Sequence, residues 1–482
     1  MTKTLYKKLA ILGKKLILKK PESPERLAVA PLHITCPHPL LMQNYEGEAS
    51  DVKTRLLKTA YSLSRITTSL LYPENLAKLK NLLKKEKIFQ IIISHKIDNE
   101  NKKTDFYFGK IPLHISSARK KTLILYINHL PWYKNKEKRV IQKNKNIYSF
   151  VLPSWSNVVK EIFMQKKIFE EINILKSELK KESSPQKNLR LAVNGNDCFR
   201  RSLTNFRIYL WAKEIFKLCK PEKVFFTWEG HAWERLLIRA ARETNNRVRC
   251  IGYQHTILFK DSIGPFSDLG LKHNPDEIWT IGKNNEQRLK KAWRRKNIKI
   301  VCAGSTRNSK HIRKNKKSNL LLVAPDGILM EAQKLFILGK EVAKQIPFIK
   351  VVFRTHPVLP FKEIIKNTKE LKKLPQNVIL QSKNDPNYIN IAKWILYRGS
   401  SLVLEGFQKG ARPILYEKKN EITLDPIFFI RTWKKKVDSV KKIRKIILSD
   451  LQSKKIKAEK KPQIQKKLNH FFVPQIKKYQ LA

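Results

Sequence analysis

Read for apolar and polar positions, the chain begins with a short amphipathic segment. Residues 1–20, MTKTLYKKLAILGKKLILKK, set Leu5, Leu9, Leu12 and Leu16 at helical intervals with lysines between them, and Pro21 and Pro24 close the segment. The spacing predicts a basic helix, suited either to lying on anionic lipid or to packing on the protein itself. From Ala28 to about Lys187, strand-like runs at 89–94 (FQIIIS) and 122–128 (TLILYIN) alternate with polar or helical stretches. A charged helix is expected from about Val158 to Lys181, and Lys180 to Asn188 reads as a linker.

After about Arg190 the pattern becomes a series of strand, loop and helix units. KVFFTW (223–228), RCIGYQH (249–255), DEIWTIG (276–282) and IKIVCAG (298–304) are apolar runs that break into polar or glycine-containing loops. A lysine-rich bridge at 309–317 precedes a second series: NLLLVAPDG (319–327), IKVVFRTHP (349–357), NVILQS (377–382), WILYRGSS (394–401) and RPILYE (412–417). Short β-branched runs separated by helix-length segments imply parallel sheets covered by helices on both faces. The expected fold is therefore α/β, two Rossmann-like lobes facing a central cleft. The expected divisions are a basic segment over 1–25, a first α/β domain over 26–308, a second over 318–445, and basic helices over 446–482.

Length supports this division, because 482 residues exceed the roughly 250 to 300 at which single cores stop growing. No run approaches the roughly 20 uncharged apolar residues that cross a bilayer, and no signal-peptide pattern opens the chain, so a cytoplasmic protein is expected. Cys36, Cys198, Cys219, Cys250 and Cys302 are widely spaced and form no CxxC pair or metal-ligand cluster, which predicts reduced thiols and no structural zinc. Against 40 Asp plus Glu stand 100 Lys plus Arg, a net charge of +60. Such an excess points to an anionic partner, either a membrane surface or nucleic acid, although a lysine-, isoleucine- and asparagine-rich composition also arises from an AT-rich genome. The basic residues are dispersed and mostly lysine, without the planar fork with which arginine reads bases, so no specific nucleic acid is expected.

Open parallel sheets bind ligands beyond the carboxyl ends of their strands, which directs attention to the residues just after each apolar run. In 397–416, YRGSSLVLEGFQKGARPILY, a strand ends at Arg398-Gly399 and Ser400 and Ser401 open a helix. Glu405 follows Ser401 by one helical turn on the same face. Helix-terminal N–H groups and serine hydroxyls suit a phosphate, Gly399 permits close approach, and Glu405 could accept from a ribose. Arg354 and His356 follow the strand KVVF, where an imidazole and a guanidinium can stabilise a leaving phosphate. Asp326 follows the strand LLLVAP. In the first lobe, Glu229, His231 and Glu234 follow KVFFTW, and Gln254 and His255 end the next strand. These are candidates for acceptor binding or for taking a proton from a sugar hydroxyl, with a Glu229 that caps the following helix and a packed Trp233 as the plainer alternative.

The segment 397–416, with the preceding NDPNYINIAKW, resembles the nucleotide-binding element of GT-B glycosyltransferases, although the usual Gly-x-Pro step is one residue longer here, Gly410-Ala411-Arg412-Pro413. The order Asp-Gly, His-Pro, Ser-Ser resembles bacterial sialyltransferases and polysialyltransferases, capsule Kdo transferases and teichoic-acid glycerophosphotransferases. In the sialyltransferase-like families an acid of the first motif is the general base and the His-Pro histidine contacts the nucleotide phosphate. This sequence departs from that pattern in having Pro325 where the first of two acids would be; the resemblance implies the base role for Asp326. EGHxxE with a later YQH resembles uncharacterised surface-carbohydrate biosynthesis proteins of Gram-negative bacteria and spirochaetes. The resemblance covers roughly 319–418 and implies a nucleotide-sugar donor in the second lobe, with a CMP-linked sugar among the candidates. It implies a glycan or lipid-linked glycan acceptor on the first. No DxD motif follows a plausible strand and no GxxxxGK[ST] loop is present, so metal-independent transfer without a cofactor is expected. A CDP-polyol phosphotransferase of the same fold and a nucleic-acid-binding protein are the alternatives; the oligomeric state is left open.

Overall fold

The computed structural model describes residues 2–35, 42, 45, 51–71, 77–96, 105–128, 142–144, 146–152, 156–179, 183–306, 317–356, 359–381, 388–417, 422, 424–430 and 433–452. Two sheets organise them. The first contains β1 (Gln90–Lys96), β2 (Thr122–Asn128), β3 (Gln142–Asn144), β4 (Ile147–Val151), β5 (Lys223–Thr227), β6 (Arg249–Gln254), β7 (Glu277–Thr280) and β8 (Lys299–Cys302). Their order is β3-β4-β2-β1-β5-β6-β7-β8, and every pairing is parallel except β3 with β4. The second contains β9 (Ser318–Pro325), β10 (Lys350–Phe353), β11 (Val378–Leu380), β12 (Ala392–Arg398), β13 (Arg412–Tyr416) and β14 (Lys435–Val437), all parallel, in the order β11-β10-β9-β12-β13-β14. That is the doubly wound arrangement, whose strand order reverses between β9 and β12. The two Rossmann-like lobes expected from the alternating pattern are therefore present.

Central strands are buried on both faces, as continuous β-branched runs require. Ile91, Ile92 and Ile93 of β1 and Leu320 to Val323 of β9 are almost entirely inaccessible. The lobes also exchange residues: Ile257, just after β6, packs into the second lobe's apolar cluster, and Ile422 packs into the first lobe's. Arg288 completes the junction, its guanidinium 5.0 Å from the Phe428 ring.

The helices correct several expectations. The N-terminal helix α1 (Lys3–Lys19) forms, but Leu9 and Leu16 are buried in the first lobe's core and Leu5 and Leu12 pack against it. Of the two placements the spacing allowed, the leucine face is thus covered by protein, because a period of 3.6 specifies an apolar face and not what lies against it. After the short α2 (Pro24–Ala28) come α3 (Asp51–Leu71), α4 (Ala77–Lys85) and α5 (Ile111–Ile115). The charged helix is α6 (Val158–Glu178), and the supposed linker instead starts α7 (Ser184–Asn194), opened by a Ser183/Gln186 capping box. Helix α8 (Asn196–Cys219) was not anticipated: Leu203, Phe206, Trp211, Ile215 and Phe216 are buried around it, so it lacks the one-sided stripe that marks a surface helix. Next come α9 (Ala232–Thr244), α10 (Lys283–Ala292), α11 (Leu329–Gln345), α12 (Phe361–Lys366), α13 (Leu402–Gln408) and α14 (Val440–Gln452). The expected helices beyond 452 and most of the lysine-rich bridge lie outside the described residues, as does Cys36; Cys198, Cys219, Cys250 and Cys302 are free thiols. Among the described residues no helix is long and apolar enough to cross a membrane.

Candidate active site between the lobes

A cavity of about 310 Å³ lies between the lobes, lined from the second by Asp326, His356, Gly399, Ser400, Ser401 and Pro426. The first lobe contributes Glu229, Thr35, Thr256 to Phe259, Ser262 and Pro265. The second-lobe residues follow β9, β10 and β12, so the cavity opens at the strand-order reversal where such sheets place ligands. Its volume is that of a small-molecule site.

Asp326 and Gly399 are adjacent because β9 and β12 pair in register up to Pro325 and Arg398. Gly399 has φ +76°, and a Cβ there would stand 2.6 Å from Asp326 Oδ2. Only glycine meets both the left-handed backbone and the carboxylate. Asp326 Oδ1 accepts from the Ile328 amide at 3.1 Å. Burial pushes its carboxyl up to about 7; the Ile328 amide and the Arg398 charge oppose this, while the Glu331 charge reinforces it. Arg398 is itself committed to Glu331, Nε to Oε2 at 2.8 Å. His356 is half-buried, and burial lowers its pKa, which favours a neutral imidazole at pH 7. Ser400 is buried, while Ser401 is exposed and caps the N-terminus of the seven-residue α13.

On the opposite wall, Glu229 Oε2 meets His231 Nε2 at 3.1 Å and Oε1 accepts from Thr256 Oγ1 at 2.8 Å. His255 Nε2 stands 4.0 Å from the same Oε1, and its ring packs edge-on against Tyr107 at 4.6 Å. Burial would raise the Glu229 carboxyl, but the His231 bond, the two histidine charges and Thr256 outweigh it and hold the group well below the usual carboxylate range. For His231 burial acts downward, and the bond to Glu229 with the charges of Glu234 and Glu229 reverses the sign, so its pKa rises.

The loop bearing Glu229 is fixed from behind. Glu234 Oε2 accepts from the amides of Glu229, Gly230 and His231 at 2.9, 2.7 and 2.8 Å. Gly230, at φ +81°, lies against the Gly264 backbone, where a Cβ would come within 2.2 Å of the Gly264 carbonyl oxygen. Arg235 is buried, 4.4 Å above the Trp228 ring, and donates to Asn274 Oδ1 at 2.7 Å and the Ser267 carbonyl at 2.5 Å.

Several sequence candidates fall elsewhere. Glu234 is fully buried as the loop's clamp, so it takes the capping role considered for Glu229 and is not among the cavity-lining residues. Gln254 is likewise buried, donating to the Thr256 carbonyl at 2.7 Å and accepting from Asn285. Glu405 pairs with Lys409 at 2.6 Å and is not among the cavity-lining residues, and neither are Arg354, His231 and His255. Trp233 packs at the core edge, 5.0 Å from the His95 ring. Thr35, Ser262 and Pro426 carry no motif; only the fold brings them to the wall. Among the described residues no group of three His, Cys, Asp or Glu is placed to hold a metal ion.

No protein-family model matches the chain, and no curated protein does. Among solved structures it is similar to S. aureus MnaA, solved with UDP (10% identity, 82% of this chain and 94% of that one, TM-score 0.44). It is also similar to the calicheamicin glycosyltransferase (14%, 80% and 94%, 0.43) and to the UDP-GlcNAc 2-epimerase of Methanocaldococcus jannaschii (10%, 76% and 93%, 0.41).

Proposed function

We propose that this chain is a glycosyltransferase that moves a sugar from a nucleotide-activated donor to a surface polysaccharide or lipid-linked glycan at the cytoplasmic face of a membrane. The observation that carries this reading is one cavity bringing Asp326, His356, Ser400 and Ser401 from one lobe to face Glu229 from the other. In this reading the donor phosphate lies against the Ser400 and Ser401 hydroxyls, and neutral His356 donates a hydrogen bond that strengthens as the leaving phosphate gains charge. Asp326 is the general base. A carboxyl near pH 7 both ionises and accepts a proton in the physiological range, which is the compromise that base catalysis requires. Glu229, locked in its ionised form by His231 and Thr256, orients the acceptor by accepting from its hydroxyls. The leaving nucleotide's charge is met by hydrogen-bond donors, His356 and the hydroxyls of Ser400 and Ser401, without a bound cofactor. The order Asp-Gly, His-Pro, Ser-Ser supports a CMP-linked donor, and a CDP-polyol phosphotransferase would use the same wall.

A thermal-shift screen of CMP, CDP, UDP, GDP and their sugars tests the reading. The cognate ligand at a hundred times its Kd stabilises by about 2.7 kcal/mol, and that donor should then transfer label to a membrane-derived glycan. A wild-type protein that no nucleotide stabilises, or equal stabilisation of a Ser401→Trp variant with its cavity filled, would overturn it.

A further inference from the structure

Two neighbouring helices of the first lobe carry apolar side chains on their outer faces as well as their inner ones. On α3, Leu56, Leu63 and Leu70 recur every seven residues, and on α6, Val159, Phe163 and Phe169 follow one side; the six are 46% to 78% exposed. The opposite side of α6 is conventionally buried through Met164, Ile168, Ile172 and Leu175. The helices lie side by side, Gln165 Nε2 donating to the Ser62 carbonyl at 3.4 Å. Scattered exposed leucines need no explanation, but aligned stripes on adjacent helices form a patch of the kind that meets a partner.

The surrounding charge identifies the partner. The carboxylates of α6 are largely turned inward: Glu161 is buried against Arg207 at 2.8 Å, and Glu171 and Glu178 pair with the buried Arg26. Lys166 stays exposed within the apolar stripe. Helix α4 supplies a rim of exposed lysines, Lys80, Lys84 and Lys85, tied to α6 because Lys80 and Lys160 share Glu214 at 2.7 and 2.8 Å. Two copies of this face would set lysine rims against one another, whereas an anionic bilayer takes the apolar stripes into its acyl boundary and the lysines onto its headgroups. We infer that the outer faces of α3 and α6, rimmed by α4, are a docking surface for an anionic lipid bilayer. The inference deepens the proposed membrane-side function and rests on it for its biological purpose, but its test needs neither donor nor acceptor.

The full chain is sedimented with vesicles of phosphatidylglycerol and phosphatidylethanolamine, and with phosphatidylcholine vesicles, at low and physiological salt. Wild type should bind the anionic vesicles at least tenfold more strongly. Leu63→Ser with Phe163→Ser and Phe169→Ser should lose at least tenfold in partitioning at physiological salt with an unchanged Tm, these side chains being exposed. Lys84→Glu with Lys85→Glu should lose the salt-sensitive part, while Lys7→Glu with Lys8→Glu on α1 should retain more than half of the binding. Nucleotide-induced stabilisation should be the same in all variants, so loss of docking is distinguishable from loss of the donor site. Wild-type binding by both apolar and lysine variants would overturn the inference. So would a wild type that ignores vesicles and sediments as a dimer that the apolar variant dissociates.

Discussion

The two walls of the cavity each present one carboxyl, and their surroundings drive these groups in opposite directions. On the second lobe, Asp326 lies in a buried turn between strand ends, near Glu331, and its carboxyl rises to about 7. On the first lobe, Glu229 bonds to His231 and Thr256 beside His255, and its carboxyl falls well below the usual range. Identical functional groups are thereby given different protonation states at neutral pH. Two titratable groups pushed apart by their environments mark which can exchange a proton and which holds a fixed charge. Support differs too: Asp326 depends on the absence of a side chain at Gly399, whereas Glu229 depends on a dedicated clamp, Glu234.

The largest expected effect attacks the group able to exchange a proton. Asp326→Asn should lower turnover of the cognate donor by about 10²- to 10⁴-fold, the usual contribution of a general base. The wild-type rate should rise with pH through about 7, as the base must be ionised; Glu229, already ionised, should add no limb above pH 5. Stability should move the other way. Because the folded-state pKa of Asp326 is raised, the native state binds the proton more tightly between about pH 4 and 7, so this residue's contribution falls as pH rises through that window. Asp326→Asn should consequently be more stable than wild type at pH 8, by up to about 4 kcal/mol, and nearly equal to it at pH 4. Matched denaturant melts at the two pH values check this; a variant equally destabilised at both would make Asp326 a structural residue.

A smaller effect is expected at His356. Removing one preorganised donor to a developing charge costs on the order of 100-fold in turnover, so His356→Ala should lower kcat with little change in nucleotide affinity. Parental turnover would leave the phosphate to the serines alone. Glu234→Ala then tests the first lobe's clamp. It strands three loop amides that now share one carboxylate oxygen, and leaving buried donors unsatisfied costs about 1–3 kcal/mol. Tm should fall, and activity should fall with a larger change in acceptor KM than in donor affinity. A normal Tm would show that the loop holds itself.

These contrasts show which features the sequence could reveal. Asp326, His356, Gly399, Ser400, Ser401 and Glu229 were legible because each stands where an apolar run breaks, and in parallel sheets that break is the binding edge. The two lobes were legible for the same reason. Glu234 and Gln254 were expected at the cleft, but proximity to a motif does not fix where a side chain points; both are buried and bond to backbone groups. Helix α1 was ambiguous because lipid and protein cores select the same leucine spacing, and only burial of Leu9 and Leu16 separates them. Thr35 and Pro426 reach the cavity from nearly 400 residues apart, with no local pattern to announce them.

The smallest expected effect separates helix periodicity from actual placement. Glu405 shares a helical face with Ser401 by spacing, which motivated its assignment to a ribose. In the structure its Oε1 pairs with Lys409 at 2.6 Å, one turn further along α13, and it takes no part in lining the cavity. An i,i+4 pair of this kind contributes about 0.2–0.5 kcal/mol, so Glu405→Ala should shift Tm only slightly. Nucleotide affinity should change by less than about twofold, since a twofold change corresponds to about 0.4 kcal/mol. Titration calorimetry with the cognate nucleotide decides the matter. A tenfold loss, equal to about 1.4 kcal/mol, would mean that Glu405 exchanges Lys409 for the ribose when the donor binds, and that the cavity wall extends one helical turn further along α13 in the complex.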